Sequence, residues 1–256
     1  EGIGGNYVLK GVNSVAFSPN GQIIASGGDD GTVRLWNLQG QQLTRWRTVH
    51  NKSVTSIAFS PNGDRVVSLS EDSLWLWNRQ TNRVNKLLSV ESYEHLKAVA
   101  FSPDGKYIAA VGSTGIMLWD INGNKLNFQP QPIPLKEGSN ADTSLCSVVF
   151  SQEDSKRIYT GQCRGKGSLQ NTLFQVELWR IEEENKSLVQ ESEQKFTSSQ
   201  GMILSLAAST DRMIASGGSD GTIHLSDSPA EVSPILRGHT DWVNSIAFSP
   251  KEKKLV

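Results

Sequence analysis

The chain is short of the features that most activities require. Of its 256 residues only two are cysteine, Cys146 and Cys163, too few for a disulfide framework. Cys146 opens one extended segment and Cys163 lies just past the next, so the two can be neighbours. Two packed free thiols in a cytoplasmic protein are expected, with a bridge as the alternative. No apolar run approaches the roughly 18 residues of a membrane span, so no membrane partner is expected. The 25 basic and 26 acidic residues leave a net charge of −1. That balance excludes a global basic face for nucleic acid and leaves only local patches. Histidine is scarce, at four residues, and HExxH, CxxC and nucleophile-elbow patterns are missing. Paired acids such as Asp29/Asp30 and Glu71/Asp72 sit in turn sequences. No enzyme and no cofactor or metal is expected.

What the chain does have is repetition. The stretch VNSVAFSPNGQIIASGGDDGTVRLW at 12–36 returns as SVTSIAFSPNGDRVVSLSEDSLWLW at 53–77 and LKAVAFSPDGKYIAAVGSTGIMLWD at 96–120. A stretched copy starts at Leu145, a fifth at Ile203, and a sixth opens at Trp242. With Phe17, Phe59, Phe101, Phe150, Ala208 and Phe248 as markers, the spacings are 42, 42, 49, 58 and 40 residues. A period near 40–45 residues with Gly-His and Trp-Asp marks indicates a propeller of four-stranded blades.

Each copy reads as strands. Val12–Phe17 and Gln22–Ser26 are β-branched-rich runs divided by Ser18-Pro19-Asn20-Gly21, where Pro pre-sets φ and Gly accepts positive φ. Asp29-Asp30-Gly31 is a hairpin signal before Thr32–Trp36. The predicted fold is all-β and incomplete: an outer strand at 6–10, blades near 12–47, 54–88, 96–128, 145–190 and 203–236, and two opening strands at 243–256. The chain reads as a fragment of a longer protein. Pro130, Pro132 and Pro134 mark a long loop over 130–143. Residues 181–196 are ambiguous between a short helix and a fourth strand near Leu188–Gln190, and the strand is favoured.

The Ser-Pro-(Asn/Asp)-Gly turns at 18–21, 60–63 and 102–105, with Arg237-Gly238-His239, Ala25-Ser26-Gly27-Gly28 and Leu118-Trp119-Asp120, resemble the WD-repeat β-propeller family over essentially the whole chain. The resemblance implies a parent ring of seven blades. It also implies a structural hydrogen-bonded set in each blade, made of His, Ser or Thr, Asp and Trp. Only blade two carries all four, as His50, Ser68, Asp72 and Trp77. Blade one keeps Ser26, Asp30 and Trp36, whereas blade three keeps only Trp119, with Ala110 and Ser113 at the Ser and Asp positions.

Function in this family implies recognition of a protein or peptide at the top-face mouth. The matching positions open each first strand, at Gly11, Ser53, His95, Ser144, Met202 and Trp242. Two residues on stand Asn13, Thr55, Lys97, Cys146, Leu204 and Asn244. Three departures from the repeat, at 130–143, 163–172 and 191–201, fall on the same face around blade four. Arg164 and Lys166, with Lys136, would make a basic spot there. Trp242, His95 and Met202 would make an aromatic and apolar patch. The turns Asn37-Leu38-Gln39-Gly40 and Asn78-Arg79-Gln80-Thr81 are similar to those of bacterial WD-repeat proteins, whose propellers often follow a signalling ATPase, kinase or protease. A non-catalytic interaction scaffold or sensor is therefore expected; the alternative is a purely structural domain of such a protein.

Overall fold

The computed structural model describes residues 11–46, 50–89, 96–130, 143–164, 174–191, 196–197, 201–226, 234–249 and 255. They form five antiparallel blades, and no helix occurs among them. Blade one is Val12–Phe17, Ile23–Gly28, Val33–Asn37 and Gln42–Trp46. Blade two is Val54–Phe59, Arg65–Ser70, Ser73–Asn78 and Arg83–Ser89. Blades three and five repeat the pattern from Leu96–Phe101 and from Ile203–Ala208. The expected outer strand at 6–10 lies outside the described residues.

The turn motif explains why each first hairpin closes. Ser18 accepts at its Oγ from the Ile23 amide at 2.9 Å, while Gly21 at φ 68° donates back to the Ser18 carbonyl. Ser60 and Ser102 do the same for Arg65 and Tyr107. All three serines are buried, so each hydroxyl satisfies a backbone donor that water does not reach.

Three of the junctions between successive blades share one exchange of sizes. A glycine on the second strand of one blade faces a β-branched residue opening the first strand of the next. The pairs are Gly27 with Val54, Gly161 with Ile203 and Gly217 with Val243. A Cβ on Gly27 would lie 2.4 Å from the Val54 Cγ1, so only glycine admits this approach. Serine hydroxyls tie neighbouring first strands: Ser14 accepts from the Ile57 amide at 3.1 Å, and Ser205 donates to the Val243 carbonyl at 3.0 Å. On blade one the matching face is open, with Val12 67% exposed where Val54, Leu96, Leu145, Ile203 and Val243 are buried.

Blade four departs from the expected outline. Its sheet has six strands: Thr143–Phe150, Arg157–Arg164, Gln175–Glu182, Ser187–Gln190, Gln129–Pro130 and Phe196–Thr197. The strand at Ser187–Gln190 resolves the helix-or-strand ambiguity. Pro130 is not simply loop. Gln129–Pro130 pairs in parallel with Ser187–Leu188 on the outer edge, where a missing amide proton costs no internal ladder bond. Blade three accordingly ends its fourth strand early, at Lys125–Leu126. Of the sixth copy, 243–249 and 255 are among the described residues, and these form no continuous strand. Val243 and Ile246 are buried against blade five, and among the described residues an isolated bridge joins Phe248 to Leu255.

In blade two the predicted set exists, with one more member. The Trp77 indole donates to Ser68 Oγ at 2.9 Å, and Ser68 meets His50 Nε2 at 2.8 Å. His50 Nδ1 meets Ser73 Oγ at 3.0 Å, and Ser73 donates to Asp72 at 3.0 Å. Ser73, not the carboxylate, is thus the direct partner of the imidazole. One neutral tautomer satisfies the whole chain of bonds, with each group donating to the next. Burial depresses the His50 pKa to about 4, the nearby Asp72 charge opposing that effect and Lys86 reinforcing it. Burial works to raise the Asp72 pKa, but hydrogen bonds from Ser70 and Ser73 outweigh it and hold it low.

The same indole bond recurs from Trp36 to Ser26 at 2.8 Å and from Trp179 to Thr160 at 3.0 Å. Blade three breaks it. Trp119 is fully buried with no acceptor for its Nε1 among the described residues, because Ala110 occupies the serine position. Ala110→Ser is expected to supply that acceptor and raise stability by about 1 kcal/mol, read as an increased urea midpoint. An unchanged or lower midpoint would show that the site cannot hold the hydroxyl.

Candidate functional site

The pairing of first and second strands slips by one residue at the same place in every blade. The slips lie at Val12/Ser14, Val54/Ser56, Leu96/Ala98, Leu145/Ser147 and Ile203/Ser205. Such a bulge leaves one residue unpaired and turns its side chain out of the sheet alternation. Here the extra residues are Asn13, Thr55, Lys97, Cys146 and Leu204. All five line one central cavity of about 420 Å3, together with Asn244 from the sixth copy.

This is the set expected two residues into each first strand. The resemblance to WD-repeat propellers pointed to those residues; the bulges that bring them together have no mark of their own in the sequence. The lining is mostly neutral, from Asn, Ser, Thr and aliphatic side chains, and Lys97 is its one charged residue among those described. Low-dielectric walls around a single cation focus its field along the channel. The Asn13 amide is held by Asp29 at 2.7 Å and also reaches the Val54 carbonyl at 3.3 Å, which fixes the rim between blades one and two.

The residues opening the first strands behave less uniformly. Trp242 is 55% exposed, two residues before Asn244. Met202 is half-buried, and its side chain packs with the core that includes Tyr159, Phe174 and Ile203. Its amide donates to Ser219 Oγ. His95, Lys136 and Lys166 lie outside the described residues. Arg164 ends the second strand of blade four.

Cys146 and Cys163 are joined as a disulfide, with their Cα atoms 5.5 Å apart. This corrects the expectation of two packed thiols. The bulge turns Cys146 toward the end of the neighbouring strand, a proximity that sequence separation does not reveal.

On the opposite face a second recess of about 430 Å3 is lined by Pro19, Pro61 and Pro103 of the repeated Ser-Pro turns and by Phe59 and Phe101 at the ends of first strands. Among the described residues no group of three or more His, Cys, Asp or Glu is placed to hold a metal ion. No helix among them is long and apolar enough to cross a membrane.

Comparison with known proteins agrees with this architecture. The family model described as the IFT122 first beta-propeller matches residues 9–256. A 37-residue stretch is 51% identical to the Periodic tryptophan protein 2 homolog of Dictyostelium discoideum. That match covers 12% of this chain and 4% of the relative, so it speaks to the repeat and not to the relative's activity. Propellers of this type are generally protein-interaction scaffolds, and their family is typically non-catalytic. Five blades, each built on four antiparallel strands with two more added in blade four, and a match over nearly the full length place the chain in the IFT122 first-beta-propeller family of WD-repeat domains.

Proposed function

We propose that this propeller is a non-catalytic recognition module whose protein or peptide partner enters at the top-face mouth of the central channel, on the side of blade four. The observation that supports this reading is convergence. One bulge residue per blade reaches a common cavity, and Trp242 stands exposed beside the sixth lining residue. A partner segment entering there meets hydrogen-bonding amides and hydroxyls, one cation at Lys97, and a large aromatic surface at the rim. Exposed tryptophan is the side chain that contributes most often at the centre of interfaces.

Peptides selected from a display library against the intact propeller provide the test. Trp242→Ala is expected to weaken their binding about tenfold or more, because hot-spot truncations typically cost upward of ~2 kcal/mol. The melting temperature should stay unchanged, since the side chain is mostly solvated. Selected peptides should also favour Asp and Glu and lose affinity to Lys97→Glu. Binding indifferent to both substitutions would remove the mouth as the recognition site, and so would a parallel fall in melting temperature and affinity.

A further inference from the structure

Blade four differs from blade one at two matched positions. In blade one the bulge residue Asn13 donates to Asp29, the residue just past the second strand. Aligning the two blades on their strand registers puts Cys146 at the Asn13 position and Cys163 at the Asp29 position. A hydrogen-bonded clasp at the channel rim is therefore replaced by a covalent one.

The two sulfurs are not equally placed. Cys146 is half-buried and lines the central cavity, whereas Cys163 is 4% exposed. An attacking thiolate arriving through the channel meets Cys146 first. The cavity, about 420 Å3, is in the size range that accepts small molecules. Its one charged lining residue among those described is Lys97, on the adjacent blade. A cation there attracts a carboxylate-bearing thiol and favours its reactive thiolate form.

We propose that the Cys146–Cys163 bridge is a thiol–disulfide exchange site that takes a small anionic thiol, of the glutathione class, on Cys146. The incoming thiolate bonds to Cys146 Sγ as the Cys146–Cys163 bond breaks, and Cys163 leaves as a thiolate that takes a proton from solvent. A second molecule of the thiol then attacks the small-molecule sulfur of the mixed disulfide. That step frees Cys146 as a thiol and releases the oxidised small disulfide. Two molecules of thiol thus supply the two electrons that reduce the bridge. The mixed-disulfide state places the adduct at the channel mouth and opens the clasp on blade four. This proposal rests on the bridge and the cavity alone and holds whether or not a peptide binds at the mouth.

The test incubates the folded full chain with graded reduced glutathione, quenches with acid and maps the adduct by peptide mass spectrometry. The expected result is an intact bridge before treatment, then glutathione on Cys146 with Cys163 as the free thiol. Lys97→Glu, with an unchanged melting temperature, should form the adduct about three- to tenfold more slowly. The thiol 2-mercaptoethanol, which carries no carboxylate, should show a smaller dependence, left by its thiolate charge alone. Free thiols in the untreated protein would overturn the proposal, as would an adduct on Cys163 or reaction only after unfolding. Equal rates for Lys97→Glu and the parent chain would overturn the assignment of an anionic thiol.

Discussion

Trp77→Ala is expected to lower the unfolding free energy by about 3–5 kcal/mol, the range of large aromatic truncations in a core. Trp77 is 2% exposed and sits among Val66 of its own blade, Ala25, Val33 and Leu35 of blade one, and the opening residues Val54 and Ile57. Its removal therefore opens a cavity between two blades. It also takes away the donor that Ser68 accepts. Trp77→Phe separates the two effects, since it keeps most of the volume and loses only the indole bond; its cost should be nearer 1 kcal/mol. Urea unfolding with unchanged m-values would measure both. An alanine variant within ~1 kcal/mol of the parent would show that the blade-one to blade-two contact does not depend on this side chain.

The second large effect is acid lability in the same blade. His50 is buried and neutral, with its folded pKa depressed from 6.5 to about 4. Between those values the unfolded chain binds a proton that the folded chain does not, so stability falls as pH falls through this window. Above pH 6.5 the contribution is complete, and below about 4 the loss is complete. An interval of about 2.5 pH units corresponds to roughly 3 kcal/mol. His224 has a depressed pKa too, caused chiefly by burial, and acts in the same direction. The measurement is therefore a difference: unfolding free energy against pH for the parent and for His50→Asn. The parent should lose more stability between pH 6.5 and 4, and parallel curves would show that His50 does not carry the dependence.

Much of the fold was legible because each copy contains its own local instructions. Ser-Pro-(Asn/Asp)-Gly specifies the first hairpin through one serine hydroxyl and one glycine with positive φ. The Trp and Ser spacing specifies the indole bond. The departures all involve contacts between segments far apart in sequence. Ser73 entered the blade-two set because a turn one residue shorter than in blade one, with five residues from Asp72 to Trp77 against six from Asp30 to Trp36, brings its hydroxyl between His50 and Asp72. A hydroxyl just after the turn aspartate, also seen at Thr32 and Thr222, was the available signal: both donate to that carboxylate, at Asp30 and Asp220. Pro130 gained a strand role only because blade four offered an outer edge for parallel pairing.

By itself the sequence determined the four-stranded repeating unit and the turns that close its hairpins, since repeat spacing and turn chemistry are local properties, while the family resemblance pointed to the six first-strand positions. Tertiary structure decided what those positions do together. The recurring bulges, the glycine gaps that let blades approach and the meeting of Cys146 with Cys163 depend on side chains brought close by neighbouring strands. Strand periodicity encodes which face a residue takes, but which distant residue it meets is set only when the blades pack.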